Sequence, residues 1–126
     1  MRKIAVVFFL LLLASCKSEK EEKESLYPTS EMTQTPEQLG QEIFDDKGRC
    51  FSCHKEEQKV IGPSIAEIAK MYQAKGGNIV EFLKGKADPI VDPSQFEVMK
   101  TNFAITKNLP EAELKALEAY ILSHSK

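Results

Sequence analysis

The sequence has no tryptophan and holds only three cysteines and two histidines among its 126 residues. It also lacks a long apolar run, because the run at Ile4–Ala14 is well short of the roughly 20 residues that a transmembrane helix needs. A formal net charge of -2 gives no sign of a nucleic-acid partner. No segment alternates apolar and polar residues as a half-buried strand would. These absences predict one small all-α domain.

The N-terminus has the layout of a secretory signal. Arg2 and Lys3 precede the apolar run, which ends in Leu13-Ala14-Ser15-Cys16. This ending resembles the lipobox of bacterial lipoproteins. The resemblance implies cleavage before Cys16, a diacylglycerol on its sulfur, and a protein anchored by lipid to the periplasmic side of a bacterial membrane.

Residues 17–35 are almost bare of apolar side chains and rich in Lys, Glu, Ser and Thr. Such a segment buries too little surface to fold alone, so it is predicted to be a flexible tether. The predicted organisation is therefore a signal peptide at 1–15, the lipidated cysteine with its tether at 16–35, and a folded domain at 36–126.

Helix signals begin at the domain boundary. Thr35–Gln38 is a capping box with Pro36 in the first turn, and Gly48 is expected to end this first helix. Apolar residues follow at helical spacing: Leu39, Ile43 and Phe44.

Three further segments are predicted after the first helix. Ser64 is expected to cap a helix that ends before Gly76, and Asn78–Glu81 is a second capping box. The last helix opens at Pro110 and carries an apolar stripe of Leu114, Leu117 and Ile121. Between Lys86 and Asn108, prolines and scattered polar residues predict an extended loop that holds Met99.

The chemistry is concentrated at Cys50–His54, which reads C-x-x-C-H, the signature of covalent haem attachment. Two cysteines three apart on a helical turn point to the same side, so each sulfur can form a thioether with one vinyl group of the same porphyrin. His54 then falls under the iron. One covalent haem c is therefore the predicted cofactor.

Three other interpretations of this pentapeptide stay open. A thioredoxin-like redox pair needs a βαβ context, which this sequence lacks. A structural zinc site needs a fourth ligand, for which His124 near the chain end is the available candidate. A disulfide between Cys50 and Cys53 closes a loop too short to stabilise the fold much.

The segment from about Thr35 to Lys126 resembles a class I cytochrome c. The features that carry the resemblance occur in the family's order: Gly40 and Phe44, Cys50–His54, Gly62-Pro63, Met99 and Tyr120. The resemblance implies a small helical domain wrapped around one covalent haem. It also implies that Gly40 lets the first and last helices approach near Tyr120, and that the carbonyl of Pro63 accepts a hydrogen bond from His54 Nδ1.

The resemblance assigns the second iron ligand to Met99. Met32 falls in the tether and Met71 on a predicted helix, where a packing role is expected. Asn102, three residues after Met99, is expected to steady the loop and the sulfur, as in small bacterial cytochromes. Lys100 stands where many members of the family have proline.

The resemblance implies a carrier of single electrons and not an enzyme, since His54 and Met99 leave the iron without an open position. A redox donor and acceptor are expected as partners, with a quinol-oxidising complex and a terminal oxidase or reductase as the matching classes, and the carrier itself is expected to be a monomer. Two alternatives remain: a gas sensor or haem enzyme with a displaceable sixth ligand, and a haem-free lipoprotein that acts as an interaction module.

Overall fold

The computed structural model describes residues 34–126, which form six α-helices and two 3₁₀-helices. The α-helices are α1 Pro36–Asp45, α2 Ile65–Lys75, α3 Ile79–Leu83, α4 Phe96–Lys100, α5 Phe103–Thr106 and α6 Glu111–Ser123, and the 3₁₀-helices are Cys50–Ser52 and Pro93–Gln95. This part of the chain contains no β-strand, only an isolated β-bridge between His54 and Lys59. The predicted all-α fold is confirmed.

The predicted signal peptide at 1–15, the lipidation site Cys16 and nearly all of the predicted tether lie outside the described residues. Among the helices of residues 34–126, none has both the length and the apolar character that crossing a membrane requires.

The helix ends follow the local sequence signals closely. Thr35 and Gln38 form both hydrogen bonds of the capping box of α1, and Ser64 caps α2 by accepting from the Glu67 N–H. Gly76 ends α2 in the left-handed region at φ 64°.

The second predicted capping box forms only in part. The Asn78 side chain accepts from the Glu81 N–H as expected. The carboxylate of Glu81 does not complete the box and instead pairs with Lys84 at 3.3 Å.

The core is built where α1 crosses α6. Gly40 is buried in the crossing, and a Cβ at this position would meet the backbone carbonyl of Ala116 and lie 2.7 Å from Tyr120 Cβ. The ring of Phe44 packs against that of Tyr120 with 5.3 Å between their centroids. The expected close approach of the first and last helices is therefore present, and Leu114 and Leu117 are fully buried behind it.

Two expectations about local structure need correction. Gly48 lies past the end of α1, which ends at Asp45, and its N–H bonds to the Ile43 carbonyl in the last turn. The residue with a left-handed conformation is Arg49, at φ 54°, and not Gly48. The stretch 86–108 is not one extended loop. It folds into the second 3₁₀-helix, α4 and α5, so Met99 lies on a helix. The prolines forbid a long helix here but permit short ones, since Pro93 occupies a first helical position.

Candidate functional site

The two domain cysteines are brought together by the first 3₁₀-helix. The N–H of Cys53 bonds to the Cys50 carbonyl at 3.1 Å, and the N–H of His54 bonds to the same carbonyl at 3.0 Å. Side chains three residues apart eclipse one another in a 3₁₀-helix. Both thiols are free, half-buried and aligned along one side of this turn.

That side of the turn faces a cavity of about 360 Å³, which lies within the size range of cofactor sites. All the site residues predicted for the domain line it: Cys50, Cys53, His54, Pro63, Met99 and Asn102. Most of the remaining wall is apolar or aromatic: Ile61, Tyr72, Phe82, Ile90, Val91, Phe96, Val98 and Ile105. Ile61 and Val98 are 50% and 47% exposed, so the cavity reaches the surface.

The imidazole of His54 is held in one orientation. Its Nδ1 lies 2.7 Å from the Pro63 carbonyl, which can only accept, so Nδ1 carries the hydrogen. Burial lowers the pKa of His54, and the bond to Pro63 opposes this shift less strongly. The ring is therefore neutral at pH 7, and its Nε2 keeps a free lone pair for a metal.

Gly62 forms a wall against the same imidazole. A Cβ on this buried glycine would lie 2.5 Å from His54 Cε1 and 2.8 Å from Nδ1. The Gly62 N–H also bonds to the Cys53 carbonyl at 2.9 Å, which ties this segment to the cysteine turn. The backbone at Gly62 thus packs against the ring, with no space for a side chain between them.

Met99 reaches the cavity from α4 and is partly buried against the core. Asn102 was expected to steady the loop and the Met99 sulfur, and its hydrogen bonds in the structure are to backbone. Its side-chain amide donates to the Gly48 carbonyl at 3.0 Å, and its backbone N–H bonds to the Met99 carbonyl at 2.9 Å. The amide therefore fastens the Met99 segment to the chain just before the cysteine turn.

The electrostatics of Cys50 do not match those of a thiol-exchange catalyst. Burial is the main cause that raises the pKa of Cys50, to about 12, and the negative charges of Asp45 and of an ionised Cys53 add to it. Catalytic and redox cysteines instead have a pKa below the ordinary value, which maintains the thiolate. This weakens the thioredoxin-like interpretation.

The zinc interpretation also lacks the necessary ligands. Within residues 34–126, no three side chains of His, Cys, Asp or Glu are grouped so that they could hold a metal ion. His124 lies at the C-terminal end of α6, where its Nδ1 is 2.9 Å from the Tyr120 carbonyl. It is not among the residues that line the cavity.

Several residues of the site carry no signal in the local sequence. Phe82, Phe96 and Phe103 pack edge-on or tilted, with centroids 5.5 to 6.2 Å apart, and the first two line the cavity. Lys59 and Asp92, which are 33 residues apart, form an ion pair at 2.7 Å, and Asp92 lines the cavity. The three-dimensional structure reveals these neighbours, because most of the pairs are distant in sequence.

Comparison with protein families matches residues 37–125 to the family described as Cytochrome c. The match runs from the second residue of α1 to beyond the end of α6. No curated protein matches the chain.

Proposed function

The chain belongs to the cytochrome c family, and from this we propose that it is a monohaem electron carrier whose iron is bound by His54 and Met99. Membership implies covalently bound haem c and haem-based electron transfer. The single haem and the ligand pair are our assignment. The main observation that supports this assignment is that both thiols, a neutral imidazole and a thioether line the same cavity.

The residues present fit such a cofactor. Cys50 and Cys53 are free thiols on one side of a 3₁₀ turn, as attachment to two vinyl groups of one ring requires. The cavity wall is mainly apolar, which suits a porphyrin. The cavity is open beside Ile61 and Val98, so one edge of the porphyrin would be exposed to solvent there. When bound, haem c supplies an iron that exchanges single electrons between its ferric and ferrous states.

The chain's own residues prepare this site in three ways. Pro63 and Gly62 fix the His54 ring with Nε2 as the free nitrogen. Met99 presents a thioether, a soft ligand that favours the reduced state of iron and a high reduction potential. The rings of Phe82 and Phe96 give the cavity an apolar wall. His54 and Met99 would together leave a bound iron without an open position, which supports a carrier and not an enzyme.

The ligand assignment is tested by Met99→Ala. We expect the ferric methionine-to-iron charge-transfer band of the wild type to disappear completely, and the reduction potential to fall because the thioether is lost. Absorption spectroscopy and a redox titration measure both. Met71→Ala is the matched control, since Met71 lies on α2 and does not line the cavity, and it should leave the band unchanged.

Other outcomes distinguish the alternatives. A band that persists in Met99→Ala would contradict this ligand. Covalent haem without the band in the wild type would favour a gas sensor or a haem enzyme. A colourless protein from cells with haem-maturation machinery would remove the cytochrome assignment.

We further propose that the carrier is a monomer, lipid-anchored through Cys16 on the periplasmic side of a bacterial membrane. There it would carry electrons from a quinol-oxidising complex to a terminal oxidase or reductase. The support is the lipobox-like ending at Cys16 and the long polar segment after it, which would concentrate the domain near membrane partners.

The anchor is tested by Cys16→Ser. We expect the protein to move from the membrane fraction to the soluble fraction, because one acyl-bearing sulfur is lost, while covalent haem content is unchanged. Cell fractionation followed by haem staining measures both. Ser30→Ala, a change in the same polar segment, is the control and should remain with the membrane. Retention of the Cys16→Ser protein would count against the anchor.

A further inference from the structure

The two metal-ligating residues are on separate segments of the cavity wall. His54 belongs to a segment that runs from Cys50 to Pro63, and Met99 belongs to a segment that runs from Pro89 to Asn102. Met99 lies on α4, which has only five residues and no side-chain cap at its N-terminus. A helix this short is not stable by itself, so its position depends on contacts with the rest of the fold.

Two side-chain links hold the Met99 segment, one to Gly48 just before the His54 segment and one to Lys59 within it, and they lie on opposite sides of Met99 in the sequence. After Met99, Asn102 bonds to the Gly48 carbonyl at 3.0 Å. Before Met99, Asp92 pairs with Lys59 at 2.7 Å. The Met99 segment is thus fastened at both ends to the chain that carries the cysteines and His54.

The Lys59–Asp92 pair is a partly exposed ion pair, since the side chain of Lys59 is 56% exposed. The side chain of Asp92 is only 16% exposed, and its second oxygen accepts a hydrogen bond from Ser94 Oγ at 2.5 Å. Lys59 is held at its backbone by the β-bridge to His54. The hydrogen bonds from Lys59 and Ser94 lower the pKa of Asp92, so its carboxylate is charged at pH 7. The connection therefore runs from His54 through Lys59 and Asp92 to the 3₁₀-helix that precedes α4.

We propose that Lys59 and Asp92 form a clasp, a pair of positioning residues that hold the Met99 segment against the His54 segment and so slow the departure of Met99 from the iron. This inference rests on the proposed ligation by Met99. Within residues 34–126, the side chains of Lys59 and Asp92 form no hydrogen bond to the thiols or to the imidazole. The clasp acts by limiting how far α4 can move, and loss of the clasp allows an outside ligand to compete with Met99.

The test compares Asp92→Asn and Lys59→Gln with the wild-type holoprotein, using imidazole to displace the sixth ligand of the ferric iron. We expect the displacement rate to rise about two- to fivefold in each variant, the range that a partly exposed ion pair supplies. The double variant should be no faster than either single variant, because both remove the same interaction. Lys59→Arg, which keeps the charge, should restore the slow rate.

Glu111→Gln is the matched control. It removes the ion pair Lys84–Glu111, which at 2.5 Å is similar in length. This pair connects the end of α3 to the start of α6, so it does not join the two cavity segments. Its displacement rate should equal that of the wild type. An equal rise in this control, or no rise in either clasp variant, overturns the clasp.

The spectrum of the wild type separates failure of the clasp from failure of the proposed function. A methionine-to-iron band in the wild type, together with unchanged rates in the clasp variants, overturns the clasp alone. A wild type without that band overturns both the Met99 ligation and the clasp.

Discussion

Gly40→Ala is expected to destabilise the domain by about 3 kcal/mol or more. The new Cβ would meet the backbone carbonyl of Ala116, and backbone, unlike a side chain, cannot move aside by changing rotamer. It would also lie 2.7 Å from Tyr120 Cβ, so α1 and α6 would have to separate along their crossing. Because small domains are stable by only about 5 to 15 kcal/mol, the yield of folded protein should fall as well. Denaturant unfolding followed by circular dichroism measures the loss.

Gly76→Ala is the control for this substitution. Nothing lies within 4 Å of a Cβ at Gly76, so only the left-handed φ of 64° opposes the change. That strain costs about 1 kcal/mol. Equal losses in the two variants would show that the α1–α6 crossing has room for a methyl group and that Gly40 is not required for close approach.

Gly62→Ala is expected to disturb the proposed iron ligand His54, with a smaller effect on global stability than Gly40→Ala. Its Cβ would lie 2.5 Å from His54 Cε1 and 2.8 Å from Nδ1, so the ring has to turn away from the Pro63 carbonyl. Loss of such an orienting contact typically costs about 10- to 100-fold in metal affinity. We expect a high-spin component in the ferric spectrum and a lower yield of coloured protein.

Absorption spectra of the ferric and ferrous protein, with the ratio of haem to protein, measure this effect. Gly76→Ala serves again as the control, because it changes a glycine that is remote from the imidazole and should leave the spectrum as in the wild type. A wild-type spectrum in Gly62→Ala would mean that the His54 ring tolerates displacement, and that the contact with Gly62 does not orient it.

The features that the sequence predicted well depend on neighbours along the chain. Thr35 and Gln38, or Ser64 and Glu67, lie within one helical turn, so their hydrogen bonds follow from spacing alone. The same holds for the 3₁₀ turn that aligns Cys50 with Cys53. The family match over residues 37–125 confirms the family that these local signals, in their order, indicated.

The interpretation of residues 86–108 as a loop was wrong because local propensity does not decide short helices. The helix α4 has only five residues and no side-chain cap at its N-terminus, so contacts with the rest of the fold decide whether it forms. One such contact is the tilted and edge-on packing of Phe96 against Phe82 and Phe103, both of which lie on other helices. Nothing in the spacing of these rings along the chain indicated that they meet.

The sequence by itself determined the helical class, most of the helix caps and the Cys50–His54 motif, because each depends on hydrogen bonds or spacing within a few residues. Met99 was assigned by resemblance to the family. Only the tertiary structure decided that Gly62 packs against His54, that Asn102 bonds to Gly48, and that Lys59 pairs with Asp92. The physical reason is chain separation. Such contacts form only after the helices have packed, and the packing depends on the whole core and not on any one segment.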